Sequence, residues 1–140
     1  MIVQKVKTKN ELDDAFQVRM VVFVEEQKVP VQEELDAFDE TAIHFIGYEK
    51  EHPVAASRLR FEADYGKLER ICVLQEFRGK HFGKQIIDEM EMTIRTNGYK
   101  KAKLHAQTHA ENFYSQLGYE TVSDVFMDAG IPHVTMIKSL

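Results

Sequence analysis

The chain of 140 residues has a single cysteine, Cys72, which excludes an internal disulfide and a cysteine-rich zinc site. His44, His109 and His133 do not fall in a metal-ligand spacing with it, and no metal is expected. No stretch approaches the 18 or more apolar residues of a membrane span. The opening segment Met1-Ile2-Val3-Gln4-Lys5-Val6-Lys7 lacks the apolar run of a signal peptide, so the expected location is the cytoplasm. Repeats, low-complexity tracts and linkers are also missing, which leaves one domain over residues 1–140 as the economical account. What is present is ordinary for a soluble globular protein: 44% hydrophobic and 29% charged residues, far from the composition of disorder. A chain of this size buries roughly 68–70% of its unfolded surface, enough for one core.

The net charge of -5 argues against a nucleic-acid partner, and so does the lack of an aromatic-basic stripe. The charge is unevenly placed. Between Glu11 and Glu40 ten acids face only Arg19 and Lys28, a net of -8, whereas seven bases face three acids between Arg78 and Lys103, a net of +4. Such runs fit two solvated faces, or a protein that holds an anion at one site and a cation at another.

Residues 2–7 alternate as a half-buried strand does, and Asn10 offers an N-cap for a helix whose apolar face is Leu12, Ala15, Phe16, Val22 and Phe23. Val29-Pro30-Val31 breaks that helix, and the acidic segment to Glu40 reads as an irregular or short helical connection. Strands over 42–48, 54–61 and 67–74 then form an antiparallel meander. Helical spacing of Ile86 or Ile87, Met90 and Ile94 opens a helix near Gly83 that Asn97-Gly98 stops. A central strand over 103–107, a helix closed by Gly118, and strands over 119–126 and 134–137 complete the chain. The expected fold is a mixed α/β domain with a mostly antiparallel twisted sheet of about six to seven strands, flanked by helices.

Between Ile71-Cys72-Val73 and the helix lies Arg78-Gly79-Lys80-His81-Phe82-Gly83-Lys84, a tight basic loop at a helix N-terminus. Free backbone N–H groups, the positive end of the helix dipole and close-approach glycines make this an anion site, with Arg78, Lys80 and Lys84 adding charge. It is neither a Walker A loop nor a complete dinucleotide fingerprint. Gly79 and Gly83 could equally serve only as turn and helix-start residues.

Here the chain resembles the GNAT family of N-acetyltransferases, whose pyrophosphate loop reads Gln/Arg-x-x-Gly-x-Gly/Ala. Arg78 and Gly83 match, and His81 stands at the family's central glycine, where a histidine bears a steric cost that glycine does not. The second family landmark, Asn-x-x-Ala-x-x-x-Tyr-x-x-x-Gly-Phe/Tyr, is matched by the segment from Gln107 through Ala110, Tyr114 and Gly118 to Tyr119, with glutamine replacing asparagine. Val22-Phe23-Val24-Glu25-Glu26-Gln27 after Arg19, then Glu34, Asp36, Asp39 and His44, and Gly130-Ile131-Pro132-His133 near the end, resemble the ElaA/YjcF-type branch.

The resemblance implies acetyl-CoA as cosubstrate. The backbone of Ile71, Cys72 and Val73 would meet the pantetheine as an added strand. Gly79, Lys80, His81, Phe82, Gly83 and Lys84 would meet the pyrophosphate, with Gln107 and Asn112 as further contacts. It implies Tyr114 as the acid that protonates the leaving thiolate, a role that a phenol with an ordinary pKa of about 10 can fill. An alkylammonium must lose a proton before it attacks, and Glu69 or His105 are the candidate bases. Glu25, Glu26, Gln27 and His133 would line the acceptor groove, where a negative rim suits a cationic small-molecule or peptide amine. No nucleic acid or membrane partner is expected, and the assembly would be a monomer or homodimer. Two other readings remain open: a regulatory or sensor module that binds acetyl-CoA with little transfer, and a thiol hydrolase using Cys72 and His105.

Overall fold

The structure is a computed structural model that describes residues 1–140. A strand, Ile2–Lys5 (β1), leads into a helix, Lys9–Arg19 (α1). Thr8, not Asn10, caps this helix. The Thr8 hydroxyl accepts from the Glu11 N–H, and the Glu11 carboxylate takes the Thr8 N–H in return, the reciprocal capping box that Thr-x-x-Glu encodes. The helix does not run on unchanged to Pro30. Met20–Glu26 widens into π-helical turns, in which Gln27 donates to the Val22 carbonyl five residues back. The arm that follows holds one short helix, Val31–Glu34 (α2), and a 3₁₀ turn, Ala37–Glu40, capped by Asp36.

Strands Ile43–Glu49 (β2), His52–Glu62 (β3) and Tyr65–Val73 (β4) form the expected meander, and Phe82–Thr96 (α3) follows. Lys101–Gln107 (β5), Glu111–Gln116 (α4), Glu120–Thr121 (β6), Phe126–Asp128 (β7) and Ile131–Ser139 (β8) complete the order. Eight strands result instead of six or seven, because the run expected over 119–126 divides. Its ladder is interrupted where the Ser123 hydroxyl accepts the Thr135 N–H in place of a backbone carbonyl.

The sheet runs β1-β2-β3-β4-β5-β8-β6, with β7 also on β8, and every pair is antiparallel except β4 with β5. Helix α3 covers one face, where Ile86, Ile87, Met90 and Ile94 meet Leu59, Leu68 and Leu104, all 2% exposed or less. Burial of each such side chain contributes about 1.5–3 kcal/mol. Helix α1 and the π-helical turns after it cover the other face, with Ala15, Val18 and Val22 against Ile46, Ala56 and Cys72. No helix is long and apolar enough to cross a membrane.

Candidate active site

The one parallel pairing positions the site. Strands β4 and β5 are joined only from Gly66–Ala102 to Leu68–Leu104. Beyond that point β4 carries a bulge, because Arg70 and Ile71 together lie opposite Ser57, between the pairs Arg58–Glu69 and Ala56–Cys72. Arg70 sits there with φ of 57°, a left-handed conformation that costs a non-glycine residue about 1–2 kcal/mol. A bulge bends and twists its strand. The two strands separate, and the facing edges of Glu69–Val73 and His105–Gln107 are left without a partner strand.

A cleft of about 830 Å³ occupies this wedge, lined by Ile71, Cys72 and Val73, by Arg78, Gly79, His81, Phe82 and Gly83, and by Gln107, Phe113 and Tyr114. The loop beneath it has Gly79 at φ 80° and His81 at φ 64°, with His81 as the N-cap of α3. His81 adopts the conformation for which glycine is suited, so the loop keeps a glycine-like path at the cost of strain. A Cβ on Gly83 would lie 3.3 Å from the Phe113 ring, which explains the absence of a side chain there. With no side-chain cap at His81, the first N–H groups of α3 stay available to an anion.

A second cleft of about 480 Å³ lies on the same sheet face over β3, β4 and β5. Phe23, Gln27, Ile71, Gln107, Tyr114 and Ile131 line both clefts. Tyr114 is half-buried, its ring edge-on to Phe113 and Tyr119 at 5.1 and 6.0 Å. Burial raises its pKa well above the ordinary phenol value, so the hydroxyl is protonated at any physiological pH. Gln107 is held between two partners, donating to Gln27 Oε1 at 2.8 Å and accepting from His109 Nε2 at 2.6 Å.

Charge dominates the second cleft, and most of it is paired. Arg19, Asp39, Arg58, Asp36, Arg70 and Glu34 form a closed ring of alternating sign, with successive contacts of 2.8, 3.0, 2.7, 3.3, 3.2 and 2.9 Å. Arg19 and Arg58 are 0% and 1% exposed. Glu69 extends the ring, receiving Arg58 at 2.7 Å, Arg60 at 2.8 Å and Lys67 at 3.1 Å. Burial opposes ionisation of Glu69, but Arg60, Arg58 and Lys67 overcome it and hold the carboxyl at about 2. Asp39 also reaches about 2, as Arg19 and Arg58 outweigh its burial. Glu33 and Asp128 line the same cleft without an ion-pair partner.

His105 lines this cleft beside the Phe126 ring at 5.1 Å. Partial burial first, then Lys67 and Lys103, lower its pKa below the ordinary imidazole value, so it is neutral at pH 7. His133 is 8% exposed, and its Nδ1–H donates to the Ile131 carbonyl at 2.7 Å.

The remaining expected residues are distributed as follows. Glu69 is not a free carboxylate, and three cations make it a very weak base. Cys72 lines the wedge, but its thiol is buried with α1, donates to the Ala56 carbonyl and is pushed up to about 12, and it shares neither cleft with His105, so the geometry does not support the thiol-hydrolase reading. Glu25 is exposed and lines neither cleft. Glu26 lies on the wedge side and not on the charged cleft, because the π-helical turns aim it at Arg78, which grips it through Nη1 and Nη2 at 2.8 Å each. Lys80, Lys84 and Asn112 are exposed and line neither cleft; Lys80 sits over the Phe77 ring and Lys84 pairs with Asp88. Sequence reasoning missed Arg58, Arg60 and Arg70, whose signal was three arginines on the meander opposite an acidic arm. It also missed Phe38, whose ring lies 3.8 Å from the Arg60 guanidinium.

The family model of an acetyltransferase (GNAT) domain matches residues 9–140. The chain is 44% identical over 133 residues to YjcF, an uncharacterized N-acetyltransferase of Bacillus subtilis, covering 94% of this chain and 95% of that protein. It is 32% identical over 140 residues to the ElaA protein of Escherichia coli, covering 94% and 89%. The crystal structure of Escherichia coli ElaA superposes over 99% of both chains with a TM-score of 0.87 at 27% identity. An aminoglycoside 6'-N-acetyltransferase complexed with coenzyme A shares the fold at a TM-score of 0.79 and 15% identity, over 99% of this chain and 97% of that one. Likeness that runs from α1 through both clefts to the last strand means that this chain belongs to the GNAT family of acetyltransferases, in the branch that holds YjcF and ElaA.

Proposed function

We propose that the protein transfers an acetyl group from acetyl-CoA to a primary amine by direct attack, with the wedge holding the cosubstrate and the charged cleft holding the acceptor. The observation that carries this reading is the meeting of the two clefts at Tyr114. The residues of the wedge fit a coenzyme A ester: an unpaired strand edge for an extended amide-bearing chain, and α3 N–H groups above a left-handed loop for a pyrophosphate. Acetyl-CoA supplies an already activated thioester. The chain's own residues orient the partners and move protons.

The amine gives up its proton to neutral His105, directly or through one water, and its nitrogen forms the new C–N bond as the C–S bond breaks. Tyr114 then donates its proton to the departing thiolate. Glu69 serves to order Arg58, Arg60 and Lys67. Since the pKa of His105 is lowered by its partial burial and by Lys67 and Lys103, the loss of rate on acidification begins at a lower pH than an ordinary imidazole would give. A preference for cationic acceptors rests on Glu33 and Asp128, the unpaired carboxylates of the cleft, and not on Glu25 and Glu26.

Release of free thiol from acetyl-CoA across a panel of primary amines tests the reaction; better turnover of anionic sugar amines than of cationic amines would remove the charge preference. A cosubstrate-binding module with little turnover is the second reading, favoured by Glu26 holding Arg78. Thermal stabilisation by acetyl-CoA with no amine turned over, and no effect of Tyr114→Phe on any transfer, would establish it instead.

A further inference from the structure

The ring of alternating charge does more than neutralise itself. Of its three arginines, Arg70 alone stands on the β4 bulge, with its backbone in the left-handed region. Its side chain reaches across to the arm, and every contact it makes there fastens residues 33–36. Nη2 donates to the Glu33 and Glu34 carbonyls at 3.2 Å each and meets Asp36 Oδ2 at 3.3 Å, while Nε meets Glu34 Oε2 at 3.2 Å. The arm walls the charged cleft through Glu33, Glu34, Asp36 and Phe38. The bulge is what parts β4 from β5 and opens the wedge. One residue therefore joins the wall of one cleft to the opening of the other.

We infer that Arg70 is a positioning residue that couples the acceptor wall to the cosubstrate wedge. Its tether holds the bulge in a strained conformation and holds the arm against the sheet, so that either change is felt by both. This rests on the reading of the wedge as the acetyl-CoA site. The coupling is reciprocal: loosening the arm from its own side, through Asp36, must also weaken the wedge.

The informative variant is Arg70→Gly, because glycine adopts the left-handed backbone freely and so keeps the bulge open to the chain while removing the tether, with some added backbone freedom that Arg70→Lys does not share. Coenzyme A binding is followed by calorimetry, the acceptor KM and kcat by thiol release, and amide hydrogen exchange over residues 31–40 and 70–73 without any ligand. Arg70→Gly should weaken coenzyme A about 5-fold, raise the acceptor KM about 10-fold with kcat less affected, and speed exchange in both segments together. Asp36→Asn should reproduce a smaller loss of coenzyme A affinity, although Asp36 does not line the wedge. Arg70→Lys, which keeps the charge but loses the planar fork, should recover part of the loss.

Coenzyme A affinity and KM both within 2-fold of the unmodified protein in Arg70→Gly would overturn the inference. So would faster exchange confined to the arm. If coenzyme A fails to bind the unmodified protein, the reading of the wedge has failed, and the exchange data decide the tether by themselves.

Discussion

The two clefts that meet at Tyr114 are built on different physics. The wedge is made by backbone: a bulge, two unpaired strand edges and a left-handed loop, with Arg78 its main cation and that one held by Glu26. The charged cleft is made by side chains, with a ring of six alternating charges and a Glu69 spoke fixing its wall. A site shaped by backbone tolerates changes of side chain, and one shaped by buried ions does not. Removing one partner from a buried pair leaves the others desolvated and uncompensated.

The strongest test of that contrast is Arg58→Ala, which takes a buried cation from Asp36, Asp39 and Glu69 at once and leaves them only Arg70, Arg19, and Arg60 with Lys67. It should cost about 3–5 kcal/mol, seen as a lower urea midpoint. Loss of under 1 kcal/mol would mean that the ring is not a structural unit. Tyr114→Phe should lower kcat about 100-fold, about 2.7 kcal/mol of barrier, while coenzyme A affinity and urea midpoint stay near those of the parent. This mutation probes the junction, which belongs to both clefts.

Acid should then dismantle the charged side first. Asp39 and Glu69 have pKa values depressed to about 2, below their unfolded values of about 4. Their contribution is thus complete above about pH 5 and is lost as the pH falls from there through about 2, about 3 kcal/mol for each carboxylate taken alone. Thermal melting followed from pH 7 to pH 2 should be flat to about pH 5 and then fall. The smallest effect is expected on the backbone side. His81→Gly should relieve the left-handed strain and raise stability by about 1 kcal/mol with no loss of coenzyme A affinity; a weaker affinity would show that the imidazole itself takes part.

The same contrast explains what could be read in advance. The loop from Arg78 to Gly83 and the helix around Tyr114 are local patterns, and local patterns carry their geometry with them. His81 stood out because glycine is expected there, and the structure places it in the left-handed region. The ring joins residues up to 51 positions apart, from Arg19 to Arg70. Nothing local says which acid meets which arginine, so the acids of the arm read as a free negative rim. The π-helical turns at Met20–Glu26 were equally hidden, and they decide that Glu26 faces Arg78 while Gln27 reaches Gln107. Arg70 looked like an ordinary strand residue because its bulge arises from pairing with β3, which no single segment reveals.

The parting of β4 from β5 has one more consequence. A sheet exposes its unpaired edges at the perimeter, where any passing strand can add to it and begin aggregation. This sheet has two further edges in its middle, after only three paired positions. The π-helical turns line that gap through Val22, Phe23, Glu26 and Gln27, and α4 does so through Phe113 and Tyr114, so a foreign strand with bulky side chains is crowded there. The proposed cosubstrate brings a slender amide-bearing chain, which needs no room for side chains. The same covering that protects the protein from sticking to its own unfolded copies thus selects the shape of its ligand.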